Sequence, residues 1–153
     1  MAARFHIDNV QLADLPEGLF RVALQFWIDA KGECILPSAS MIDPLKLPRK
    51  LLPSLVVTSV EPGSKRIKFR LVGTAHVNAT GVDLTGKFCE DVEGAEGTTQ
   101  RIYAAIKSKA PYFYGGPLTW MSREFKSYMT LVMPFGNDAG EVTRFVAYNE
   151  FSS

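Results

Sequence analysis

The clearest alternation in the chain lies between residues 66 and 72, where Ile67, Phe69 and Leu71 interleave with Arg66, Lys68 and Arg70. A period of two places one side of a strand in a core and the other in water. Just upstream, Leu55 to Val60 (LVVTSV) is apolar almost throughout, as in a strand covered on both faces. Glu61-Pro62-Gly63-Ser64 turns one strand into the other, which predicts a hairpin. Downstream, Gly73 and Thr74 break the alternation. Thr74 can cap a short helix that Gly81 ends in a left-handed conformation. A second short helix is expected after Thr85, with Phe88, Cys89 and Val92 on one side. Neither helix is long enough to be stable alone. Both must therefore wrap a sheet, and the hollow beneath them is where a ligand would sit.

Elsewhere the pattern predicts a helix over 15–31, started by Asp14, Pro16 and Glu17 and stopped at Gly32. Glu17, Arg21, Gln25 and Asp29 form one polar strip, and nearly all other positions are apolar. An ordinary surface helix needs an apolar stripe of only about 100°. The excess predicts a second contact surface, a homodimer or partner interface that includes Phe20, Leu24, Trp27 and Ile28. Four prolines between 34 and 54 indicate an ordered, extended crossing loop. Residues 98–109 read as a third helix, with Ile102, Ala105 and Ile106 at helical spacing and Pro111 beyond its end. Strands are expected at about 112–120, 124–134 and 141–150, joined by turns at 121–123 and 136–140. Residues 1–13 show no period and read as a mobile arm. The sum is an α+β domain over 14–153: a five-stranded antiparallel sheet, short helices over one face, and an N-terminal amphipathic helix. Its core spans 55–150, with 55–61 and 141–150 as central neighbours.

The motifs FRLVGT (Phe69 to Thr74) and GVDLTGK (Gly81 to Lys87) resemble those of a PAS domain, the sensor fold of bacterial and eukaryotic signalling. Upstream, Trp27, Leu36-Pro37-Ser38, Ile42-Asp43-Pro44, Leu47-Pro48 and Leu52-Pro53 are similar in order and spacing to one bacterial PAS subfamily. The resemblance covers roughly residues 20–150. It implies the sheet order already read from periodicity, and a sensory or protein-interaction role. In that subfamily an Arg follows Leu-Pro-Ser; here Ala39-Ser40 stands instead. Cys89, in Gly86-Lys87-Phe88-Cys89, falls where light-sensing flavin-binding PAS domains carry their photoreactive cysteine. Phe88 replaces the Asn of those domains, and Glu90-Asp91-Val92 replaces Arg-Phe-Leu. In haem-binding PAS proteins the axial histidine usually lies on the long helix, which here has none. The resemblance therefore implies neither flavin nor haem.

Composition narrows the remaining classes. The 153 residues are 46% hydrophobic and 22% charged with a net charge of +1, ordinary values for one globular domain. Near-neutrality and scattered Lys and Arg leave no electrostatic case for nucleic acid or an anionic membrane. Cys34 and Cys89 have no metal-ligand spacing and read as free thiols. With no signal-like or membrane-spanning run, the expected location is the cytoplasm.

Candidate chemistry is sparse. His6 and His76 are the two histidines, and no nucleophile elbow, phosphate loop, dinucleotide fingerprint or zinc motif occurs. The acidic run Glu90, Asp91, Glu93 and Glu96 reads as a solvated loop and not as a metal site. No catalytic residue is assigned. The expected pocket takes Phe69 and Leu71 from the strand, with His76, Phe88, Ile102, Tyr103 and Ile106 from the helical wall. Tyr128 (or Met129) and Phe145 (or Ala147) stand opposite. The favoured function is a stand-alone PAS-type sensor that binds a small organic ligand and signals through an unidentified partner protein. A small enzyme or small-molecule-binding α+β domain relying on His76, and a purely structural dimerisation module, remain the alternatives. The purified protein is expected to show neither a flavin nor a Soret band in an absorbance scan.

Overall fold

The computed structural model describes residues 4–119 and 127–152. Its strands are β1 (Phe5–Asp8), β2 (Leu55–Val60), β3 (Ile67–Val72), β4 (Tyr112–Pro117), β5 (Ser127–Gly136) and β6 (Val142–Ser152). They form one antiparallel sheet in the order β1-β4-β5-β6-β2-β3. The β2–β3 hairpin and the central pairing of β2 with β6, from Leu55↔Tyr148 to Ser59↔Arg144, are as the sequence predicts. The predicted turn at 121–123 and the first residues of the strand expected at 124–134 lie outside the described residues.

The sheet has six strands where five were expected. The sixth, β1, comes from the segment read as a mobile arm: Phe5 to Asp8 pairs with Gly115 to Tyr112. Phe5 and Ile7 turn toward the core and His6 and Asp8 away from the α1 side, an alternation too short to stand out in the sequence. Gly115 makes the pairing possible, because a Cβ there would lie 2.3 Å from the Phe5 ring.

Helices cover both faces, and one of the two covers was not foreseen as such. Helix α1 (Leu19–Lys31) lies on what we call the outer face. The Phe20 ring centroid sits 5.0 Å from those of both Phe113 and Tyr148. Trp27 Nε1 donates to the Pro134 carbonyl at 2.7 Å. Phe20 and Leu24 are each 1% exposed and Trp27 7%. These three residues, expected in a dimer interface, are instead spent on the protein's own sheet. The apolar excess of α1 arises because the helix is also flanked by the chain before it and by the proline-rich stretch, so more than one stripe is covered. Of the four, only Ile28 stays exposed, beside Val22.

The proline-rich stretch crosses the same face through 3-10 turns at Ala39–Met41 and Arg49–Ser54, burying Leu47 and Leu51. It ends tightly against Gly73, where a Cβ would approach the Pro53 carbonyl oxygen to 2.2 Å. Gly73, and not Thr74, occupies the N-cap of α2 (Thr74–Thr80), and Gly81 closes that helix with a φ of 77°. The inner face carries α2, a 3-10 turn at Cys89–Asp91, and α3 (Glu96–Ser108). No described helix is long and apolar enough to cross a membrane.

Because Leu24 is enclosed between helix and sheet, Leu24→Ala is expected to cost ~2–5 kcal/mol in urea unfolding. Ile28→Ala, on the exposed side of the same helix, is expected to stay within ~0.5 kcal/mol of the parent.

Candidate ligand cavity

The inner face of the sheet is set by register. Val56, Thr58, Phe145, Ala147 and Asn149 share a side with Tyr112, Tyr128, Thr130 and Val132, while Val57, Leu131, Met133 and Val146 face α1. Over the inner residues lie His76 from α2, Leu84 from the following loop, Cys89 and Val92 around the 3-10 turn, and Ala95, Thr98 and Ile102 from the start of α3. Together they enclose a cavity of about 60 Å³. Among the described residues no Lys, Arg, Asp or Glu lines it.

The cavity is apolar with a few polar atoms. Thr58 is 4% exposed, and its Oγ1 has no hydrogen-bond partner in the protein. A buried, unsatisfied hydroxyl costs ~1–3 kcal/mol, so this atom would favour a guest able to meet it. Asn149 Nδ2 is already committed to the carbonyls of Ser54 (3.2 Å) and Ala147 (3.4 Å). Thr98 and Arg101 lie beside the Tyr128 hydroxyl and Arg101 beside that of Tyr112. The Arg101 guanidinium stacks on the Tyr114 ring at 3.6 Å. Burial pushes both tyrosine pKa values up, so both stay protonated. Cys89 Sγ lies 3.1 Å from Thr99 Oγ1, and burial raises the thiol pKa, which keeps it a poor nucleophile.

His76 is 4% exposed and meets the Phe151 ring edge-on at 5.3 Å. Burial lowers its pKa from 6.5 to about 4. At neutral pH it presents an uncharged imidazole.

The wall over the cavity is fastened to the sheet edge. Phe69 N donates to the Lys87 carbonyl at 2.9 Å, and Gly86 N to the Phe69 carbonyl at 2.8 Å. Glu90 accepts from Ile67 N at 3.0 Å and from the Tyr103 hydroxyl, joining β3, the 3-10 turn and α3. Asp91 pairs with Arg66 at 2.6 Å. Half of the acidic run is thus structural, contrary to its reading as a solvated loop. Among the described residues no group of three or more His, Cys, Asp or Glu could hold a metal.

Of the nine residues expected around a pocket, Phe69, His76, Ile102, Tyr128 and Phe145 come together here. Four do not. Leu71 is turned to the outer face by a bulge: Thr58 opposes Phe69 and Val57 opposes Leu71, so Arg70 is an extra residue and parity inverts. Phe88 sits at the rim beneath Arg66, 4.2 Å from the guanidinium to the ring. Tyr103, one position past Ile102 on α3, faces outward at 39% exposure. Ile106 packs against the inner core a turn beyond the cavity. Thr58, Thr130 and Asn149 were missed; each is a polar residue at an inward position of an otherwise apolar strand, a signal legible once parity is known.

No family model matches the chain, and no curated protein does. Solved structures do. An RNA-binding Light-Oxygen-Voltage receptor superposes on 98% of this chain and 38% of its own, with 15% identity and a TM-score of 0.56. The PAS domain of Bordetella pertussis BvgS matches over 72% of this chain and 88% of its own, at 18% identity and a TM-score of 0.52. A Light-Oxygen-Voltage domain studied with a flavin analogue matches over 75% and 89%, at 11% identity and a TM-score of 0.54. The chain therefore has the PAS fold. The site does not fit a flavin: about 60 Å³ walled by Phe69, Ile102 and Phe145 is far below the ~300–1,000 Å³ of cofactor and drug-sized pockets.

Between pH 6.5 and about 4 the unfolded chain protonates His76 and the folded protein does not. The depressed pKa therefore lowers stability as pH falls through that window, by ~3 kcal/mol at its foot. An NMR titration of the folded protein is expected to place the His76 midpoint near 4. His76→Gln is expected to flatten the pH dependence of unfolding; a midpoint near 6.5 would contradict the burial described.

Proposed function

We propose that this chain is a PAS-type sensory domain that holds a small, uncharged, largely apolar ligand in the inner cavity and signals its occupancy through contact with a partner protein. The observation that carries it is the apolar inner cavity lined in part by Thr58, whose buried Oγ1 has no hydrogen-bond partner in the protein. A ligand carrying a single carbonyl, hydroxyl or ether group would satisfy that atom while its remainder fills the apolar space. Among the described residues no Lys, Arg, Asp or Glu lines the cavity, which favours an uncharged ligand over one whose desolvation would have to be offset.

Binding is favoured over catalysis by His76. An imidazole held near a pKa of about 4 is a weak base at neutral pH. No described carboxylate lines the cavity to act with it, and Cys89 is held as a thiol. A homodimer through α1 has lost its motive, since Phe20, Leu24 and Trp27 are covered within the monomer.

The test is native mass spectrometry of freshly purified protein beside the variant Ile102→Trp, which fills the cavity from α3. The parent is expected to carry a small ligand that the variant loses, while the circular dichroism of the two agrees. A ligand retained unchanged by the variant would place binding elsewhere.

A further inference from the structure

A second apolar surface lies on the outer face, where the proline-rich stretch meets the open end of β3. It is a groove of about 510 Å³ floored by Leu47, Leu52, Leu55 and Val57 and bounded by Leu71 and the first residues of α2. Leu71 is there because of the bulge, and it is 48% exposed. Leu45, on the same crossing segment, is 94% exposed. A small molecule seated in the groove would meet Leu71 but leave Leu45, which does not line it, bare. A longer apolar partner would cover both, as the size and contiguity of such patches generally imply.

Charge and backbone geometry narrow the partner. Between residues 42 and 55 the chain carries Lys46, Arg49 and Lys50, all exposed, against one carboxylate. That carboxylate, Asp43, accepts from Leu45 N at 2.8 Å. None of the three cations is in an ion pair with a described residue. In a chain of net charge +1 this is a local excess that an acidic partner would meet. Along Ile67–Phe69 the edge of β3 is closed to strand addition, because Ile67 N is taken by Glu90 and the backbone groups of Phe69 by residues 86 and 87. The groove itself offers mainly apolar side chains for recognition.

We propose that this groove docks an amphipathic α-helix of a partner protein, its leucine-type face over Leu45 and Leu71 and its acidic flanks toward Lys46, Arg49 and Lys50. The proposal rests on the partner contact put forward above and gives it a location. Helix α2 connects the two sites: Thr74 borders the groove and His76, two residues on, lines the cavity.

The experiment is fluorescence anisotropy with a short labelled peptide bearing leucines at i, i+3, i+4 and i+7 and glutamates on the flanking positions. The same peptide with lysines in place of glutamates is the comparison. The glutamate peptide is expected to bind about tenfold more tightly than the lysine peptide, and the preference should vanish in a Lys46→Glu, Arg49→Glu, Lys50→Glu variant. Leu45→Asp, at a position too exposed to disturb folding, is expected to weaken binding by about tenfold or more. Equal binding of the two peptides, no binding of either, or affinity unchanged in Leu45→Asp would overturn the proposal. So would sedimentation showing that the protein self-associates and that Leu45→Asp abolishes it, since a second copy would then be the occupant. The Ile102→Trp variant separates the two readings: it should keep peptide binding, so an empty cavity and an idle groove fail independently.

Discussion

Strand β3 carries one residue more than the strand it pairs with, and much of the molecule's surface chemistry follows from that surplus. Before Arg70 the odd-numbered residues of β3 point inward, so Ile67 and Phe69 pack under α3 and the 3-10 turn. After it they point outward, so Leu71 leaves the inner core and enters the groove. The displaced Arg70 is held by Ser59 Oγ at 2.8 Å and by Glu61 at 3.0 Å, which keeps the extra residue from slipping back into register. A one-residue slip in a two-faced sheet would exchange every buried side chain of that strand.

The sheet's second constraint is that both faces are covered by short or irregular pieces. Helix α2 has seven residues and would not persist in isolation. It is fixed at one end by the contact of Gly73 with Pro53, which no larger residue would permit, and at the other by the left-handed Gly81. Opposite, α1 buries its aromatic residues against β4, β5 and β6. Because the covers meet at the β3 end, the inner cavity and the outer groove share one wall.

Most of the architecture was legible in the sequence because the relevant signals are local. Alternation in 66–72, the apolar run at 55–60, and the prolines and glycines that punctuate the chain specify five strands and the helices between them. What escaped depends on distant partners. The strand at Phe5–Asp8 exists only because β4 and Gly115 accept it, more than a hundred residues away. The bulge that redirects Leu71 is a property of the strand pair. The richness of α1 was visible, but its cause, a cover on several sides, looks the same in sequence as an intermolecular interface. For the cavity, helical phase placed Ile102 inward, yet the same reasoning did not separate it from Tyr103.

Glu90 has a bearing on how fast such a domain could respond. Its carboxylate fastens the wall of the cavity to the edge of the sheet, in company with two backbone hydrogen bonds from Phe69. For a guest held there as proposed, exchange by lifting of that wall would be set by how often the fastening opens and not by affinity alone. Two domains with equal occupancy at equilibrium but different fastenings would then differ in memory: one would track the present concentration of its ligand, the other an average over its recent past.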